Sequence, residues 1–174
     1  MWALVHQQLY NAGEAMLTGD KELAYKVISR ERRVNAFELK IDSDCEDIIA
    51  LYAPVAIDLR FVLAMYKINT NLERLGDFAE SIARFAGNLP EGEPIDPQLV
   101  KETRVEEMLS ELLSMISLTK EAFEKESSEI ASRIFLKDNL IDEINHNSTA
   151  IIAKYIEEHK GSALAGLYMA GVIR

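Results

Sequence analysis

The chain has 174 residues, a formal net charge of −10 at neutral pH and one cysteine, Cys45. Such an acidic balance offers no basic face for a phosphate backbone, which excludes nucleic acid as a partner. A single cysteine excludes a disulfide framework and suits a reducing, cytoplasmic compartment. With 8 Gly, 4 Pro, no alternating apolar runs and no Asn-Gly or Asp-Gly hairpin signals, the composition is that of an all-α protein.

The first helix is expected from about Trp2 to Leu17, with Trp2, Val5, Leu9, Ala12 and Met16 at helical spacing. "TGD" (18–20) ends it, and Asp20 can cap the next helix. A long second helix follows over roughly 21–52, with Leu23, Val27, Val34, Ile41, Ile48 and Tyr52 among its apolar positions, until "YAP" (52–54) stops it. The third runs from about Asp58 to Ala86. "GNLPEGEPIDP" (87–97) then places glycines, three prolines and acids together as a linker. Further helices are expected near 98–126 and 128–159, then a "KGS" break at 160–162 and a last apolar stretch to Arg174. That stretch, "ALAGLYMAGVI", is too short to span a bilayer. No basic stretch leading into an apolar core opens the chain, so a secretory leader is not expected.

The halves repeat each other. A shift of 107 positions lays Leu23 on Ile130, Val27 on Ile134 and Val34 on Ile141. It also lays Val5 on Leu112, Leu9 on Ile116 and Met16 on Phe123. The expectation is two tandem three-helix bundles, residues 1–87 and 98–174, joined by a linker at 88–97. Helices of about 30 residues would be about 45 Å long at 1.5 Å per residue. The second repeat is expected to be truncated at its last helix, which stops where the first repeat continues into "NLERLGDFAESIARF" (71–85).

That continuation carries the first candidate site. Glu73 and Asp77 are one turn apart on one face, with Gly76, a poor helix former, between them. Asn69, Glu73, Asp77 and Glu80 form one acidic stripe, and Glu31, Asn35, Glu38 and Asp42 form another on the second helix. Asp138, Asp142 and Asn145 repeat the latter in the second unit. Such stripes can be ordinary solvated faces. Like charges at i, i+4 repel, however, unless a cation such as Arg74 or Arg84 compensates. Carboxylates gathered from two helices suit hard multivalent cations: Mg²⁺, Mn²⁺, Ca²⁺ or Fe³⁺. Gly76 would then admit either a ligand shell or a closely packed helix. Cys45 falls among apolar positions and reads as buried and inert. His6 and His159, near helix ends, read as surface residues. "EINH" (143–146) holds one Glu-x-x-His, whereas di-iron bundles need two. No phosphate loop, nucleophile elbow or Cys-x-x-Cys is present.

The run 33–83, with its valine–asparagine stretch, its proline corner followed by "DLR" and its closing "LER-x-GD-x-A", resembles the hallmark of the PhoU family of bacterial phosphate-transport regulators. "KDNLIDEI" (137–144) resembles the matching Asp-x-x-x-Asp motif of the second repeat, and the likeness covers essentially the whole chain. It implies surface clusters of iron, or of Mg, Mn, Zn or Ca, held by Glu73 with Asp77, Asp138 with Asp142, and Glu31 with Asn35, where Asn35 replaces an acid. It also implies a non-enzymatic, cytoplasmic negative regulator that meets the membrane only through its partners, a phosphate ABC transporter ATPase and a sensor histidine kinase. The long helical surfaces are compatible with a homodimer. The competing readings are a ferritin-like carboxylate-bridged metalloenzyme and a metal-free helical adaptor.

Overall fold

The computed structural model describes residues 1–89, 95–159, 161 and 163–174, and the described residues form helices joined by short turns, without strands. Seven helices follow one another: α1 (Trp2–Thr18), α2 (Lys21–Tyr52), α3 (Ala56–Asn88), α4 (Pro97–Thr103), α5 (Val105–Glu124), α6 (Ser128–Glu158) and α7 (Ala163–Ile173). α1, α2 and α3 pack as one bundle and α5, α6 and α7 as another, with α4 lying on α5 and α6. The bundles meet where α1 packs on α5 and α3 on α7. Each of α6 and α7 begins 107 positions after α2 and α3 respectively, the offset of the sequence repeat.

The punctuation residues act as their chemistry requires. Gly19 takes a left-handed conformation (φ 72°) at the end of α1, and the Asp20 carboxylate accepts the Leu23 N–H at 2.9 Å to cap α2. α2 stops at Tyr52, and the corner before α3 holds two alanines at positive φ, Ala53 (43°) and Ala56 (49°). Side chains avoid that region, so each costs on the order of 1 kcal/mol.

One expected helix near 98–126 is in fact two. Arg104 sits at φ 57° between α4 and α5. Its guanidinium grips Glu107 at 2.7 Å and Glu143 of α6 at 2.8 Å. This bend seats Leu99 and Val105 in the core. The linker falls partly on residues 90–94, outside the described residues. Its flanks are anchored, since Leu89 and Ile95 are both buried in the shared core. Asp96 caps α4 through the Gln98 N–H at 2.8 Å and accepts the Tyr155 hydroxyl at 2.6 Å.

The tie between Tyr155 and Asp96 fastens the linker's end to α6. Burial first, then the bond to Asp96, pushes the phenol up to about 12. The Tyr155 hydroxyl first, then the Gln98 N–H, holds the Asp96 carboxyl below its ordinary value. A lowered carboxylate contributes stability above its ordinary value and loses it as pH falls through the lowered one. Tyr155→Phe is therefore expected to lower the unfolding free energy by about 1.5 kcal/mol at neutral pH. In urea titrations that deficit shrinks as the pH falls through the acid range.

α1 runs antiparallel to α2, with the buried Gln8 amide donating to the Val27 carbonyl at 2.8 Å. α1 reaches only to the level of Val34, where Val5, Val34 and Leu72 close a small core with Met1 and Ile68. Beyond it α2 and α3 continue as a two-helix arm. Ile48 and Tyr52, which share the apolar spacing of α2, are consequently exposed there, with Leu51, Val55 and Ile57. Phe61 stacks on Phe123 of α5 with centroids 5.6 Å apart.

Candidate functional site

Gly76 decides how close α2 and α3 come. A Cβ built on it would lie 2.8 Å from Val34 Cγ1, well inside van der Waals contact. The glycine therefore serves helix packing: Val34 of α2 presses on bare backbone of α3, and the residues beside this contact are drawn together.

Those neighbours are the two acidic stripes. Burial, then the charges of Glu80 and Asp77, raises the Glu31 carboxyl above its ordinary value, against a lowering hydrogen bond from Asn35. Burial, then Asp77, then Glu38, does the same to Glu73. Glu31 and Glu38 of α2 thus share one field with Glu73, Asp77 and Glu80 of α3. Among the cations considered from the sequence, Arg84 pairs with Glu80 at 2.6 Å.

The seam between the stripes holds two asparagines. Asn69, almost wholly buried, donates its amide to the Asp42 carboxylate at 2.7 Å and the Glu38 carbonyl at 2.9 Å. Its Oδ1 and that of Asn35 are buried without a hydrogen-bond partner. A buried acceptor lacking a donor costs about 1–3 kcal/mol, and a cation removes that cost by taking the oxygen as a ligand. The donor set is all oxygen, the chemistry of hard cations. Glu31, Asn35, Glu73 and Asp77 fit such an ion in kind. As placed, no three His, Cys, Asp or Glu side chains among the described residues are gathered tightly enough to hold a metal by themselves.

The second unit is different. Asp138 and Asp142 lie exposed on α6, and Asp142 borders a shallow hollow with Asn145, Glu143 and His146. Among the described residues α7 carries no acidic side chain opposite them. Glu143, the acid of "EINH", is paired with Arg104. Cys45 is buried, and burial with the Asp42 charge raises its thiol. His159 is half-buried and stacked on Tyr155 at 4.4 Å, where a surface residue was expected. The orphaned oxygens of Asn35 and Asn69 carry no sequence signal, since they follow from the depth at which α2 and α3 meet.

The architecture and its paired stripes define a class: tandem three-helix repeats with an acidic seam in the first. The family model for the PhoU domain matches residues 1–86 and again 105–174. The chain is 32% identical to the phosphate-specific transport system accessory protein PhoU homolog of Aquifex aeolicus, across 100% of this chain and 77% of that protein. It is also 32% identical to the accessory protein PhoU of Escherichia coli, across 98% and 70%. The crystal structure of PhoU from Pseudomonas aeruginosa superposes with a TM-score of 0.87 at 26% identity, covering 100% of this chain and 82% of that one. The phosphate transport system regulatory protein PhoU from Streptococcus pneumoniae gives 0.82 at 27% identity, covering 99% and 80%. The chain belongs to the PhoU family. Among the described residues, no helix is long and apolar enough to cross a membrane.

Proposed function

We propose that this chain is a non-enzymatic, cytoplasmic regulator of phosphate transport and signalling. It couples a phosphate ABC transporter ATPase to a sensor histidine kinase and represses the phosphate-starvation response. Relatives named as accessory and regulatory proteins of phosphate transport support this reading, and so does the absence of a nucleophile–base motif from the sequence. The acidic seam is its metal-responsive element, held by Glu73, Asp77, Glu31 and Asn35, with iron first among the ions it would take. A bound cation supplies positive charge between carboxylates that otherwise repel. Glu31 and Glu73 bring the charge to be neutralised, Asn35 brings an amide oxygen without a donor, and the contact of Gly76 with Val34 sets the spacing between the helices. Asp138 and Asp142, exposed on α6, are the proposed ligands of the second repeat.

The observation that carries the metal reading is the pairing of two acidic stripes around orphaned, buried amide oxygens. Elemental analysis of protein purified without chelator tests it. More than one equivalent of iron or another multivalent metal is expected, and Glu73→Ala/Asp77→Ala should lose it. Equal, negligible metal in both would leave a metal-free adaptor. Oxygen-dependent turnover of bound iron would instead favour the ferritin-like reading. The ion pair of Glu143 with Arg104 weighs against that one.

A further inference from the structure

The acidic balance of the chain has a local exception on α2, where charge is sorted by face. Residues 26–40 hold five of the 19 basic residues, Lys26, Arg30, Arg32, Arg33 and Lys40, against two acids, Glu31 and Glu38. Both acids belong to the seam with α3. At 100° per residue, Lys26, Arg30, Arg33, Phe37 and Lys40 fall within about 80° of one another, about 150° round the helix from the seam. All five are exposed. At the level of the first three, α1 is already seated on α2, where Gln8 bonds the Val27 carbonyl, so these cations face outward with their neighbour in place. The row is about 21 Å long at 1.5 Å per residue. Among the described residues, Lys26, Arg30, Arg32 and Arg33 form no ion pair, and Lys40 pairs with Asp44. The adjoining α1 carries a single acid, Glu14. Like charges one turn apart repel, so the row gains from an acidic neighbour.

Nucleic acid, an anionic membrane and an acidic protein segment all have the right sign for this row. The first two carry their charge well beyond 21 Å. On the same side of α2 the row gives way to Glu22 one turn before Lys26, and to Asp44 and Asp47 after Lys40. A long polyanion would set its phosphates against those acids, in a chain whose net charge is −10. Screening acts over about 8 Å at physiological salt, so the acids at each end are felt locally. A short acidic helix matches both the length and the order of the charges. We propose that the outer face of α2 docks an acidic helix of a partner protein. Its carboxylates lie at i, i+4 and i+7 over Lys26, Arg30 and Arg33, and its negative charge ends within about four turns. Charge complementarity sets rate and register more than affinity, so the contact forms fast and is sensitive to salt. This surface is separate from the acidic seam and does not depend on the metal reading.

Fluorescence anisotropy with the intact chain tests the proposal, using two labelled, helix-stabilised peptides of equal charge. One carries glutamates at i, i+4, i+7 and i+14, and the other carries the same residues scattered round the helix. The patterned peptide is expected to bind saturably and about tenfold more tightly than the scattered one, and to lose about tenfold in affinity between about 50 and 300 mM salt. Arg30→Glu/Arg33→Glu should abolish binding and leave the circular dichroism unchanged, since both side chains are exposed. A lysine version of the patterned peptide should bind that variant instead. Arg30→Gln/Arg33→Gln, which adds no new charge, should weaken binding of the glutamate peptide to a smaller degree. Equal binding of the two glutamate peptides would overturn the proposal, as would indifference to the charge reversal. Tighter binding of phosphatidylglycerol vesicles than of the patterned peptide, lost in the same variant, would assign the row to a lipid surface and overturn it too. So would a dimer of the parent that the charge reversal dissolves, because the acids of a second copy would then be the occupant.

Discussion

Gly76→Ala lowers the unfolding free energy by about 1–2 kcal/mol, even though alanine favours a helix by about 1 kcal/mol. The loss comes from the 2.8 Å approach of the new Cβ to Val34 Cγ1. Val34 is β-branched and fully buried, so it has no alternative rotamer into open space. α2 and α3 must therefore separate by several tenths of an ångström or Val34 must leave its well. Val34→Ala alone leaves a cavity and also destabilises. The double variant should be more stable than the sum of the single effects, with a coupling of about 1 kcal/mol. Urea denaturation of the four proteins measures it. Additive effects would mean that the helices part freely here and that Gly76 is not required for packing.

The second large effect changes sign with metal. In EDTA, Glu73→Gln should raise the thermal midpoint at pH 7.5 by about 2–3 °C. Burial first, then Asp77, raises the Glu73 carboxyl above its ordinary value. The folded state therefore prefers the protonated form. The stability tied to Glu73 is fully present below its ordinary value and is lost as pH rises through the raised one. Glutamine, which stays neutral, keeps that stability at neutral pH and flattens the pH dependence. With excess Mn²⁺ the proposed metal site predicts the reverse order, because a parent that binds the ion would gain by mass action a stability the variant lacks. A gain in EDTA without a reversal in Mn²⁺ would make the seam a repelling, solvated face.

Boundaries marked by local chemistry were legible in the sequence: Gly19 and Asp20 at one turn, Tyr52 and Pro54 at the next, and the phase of the repeat from Val27 and Ile134. The break at Arg104 was not, because no glycine, proline or asparagine marks it. Its left-handed backbone is held by ion pairs to Glu107 and to a distant Glu143, which local spacing does not encode. Nor was the exposure of Ile48 and Tyr52, since periodicity reports a face but not how far the neighbouring helix reaches. In the site, stripe logic brought Glu31 near Glu73 and Asp77. It left open whether Gly76 faced a ligand or a helix, and the depth of Val34 decides for the helix.

The larger hydrophobic core has a consequence for how the repeats behave together. Leu9, Ala83, Leu99, Leu109, Ile152 and Met169 belong to one continuous cluster that draws on both bundles, with Leu89 and Ile95 tied into it from either side of the linker. The two bundles share this cluster, so the molecule is expected to melt as one cooperative body rather than as two beads on a string. Val34 and Leu72 belong to the smaller core, and Trp2 and Leu75, which pack against both cores, are the side chains through which a change in the spacing of α2 and α3 would reach the second bundle.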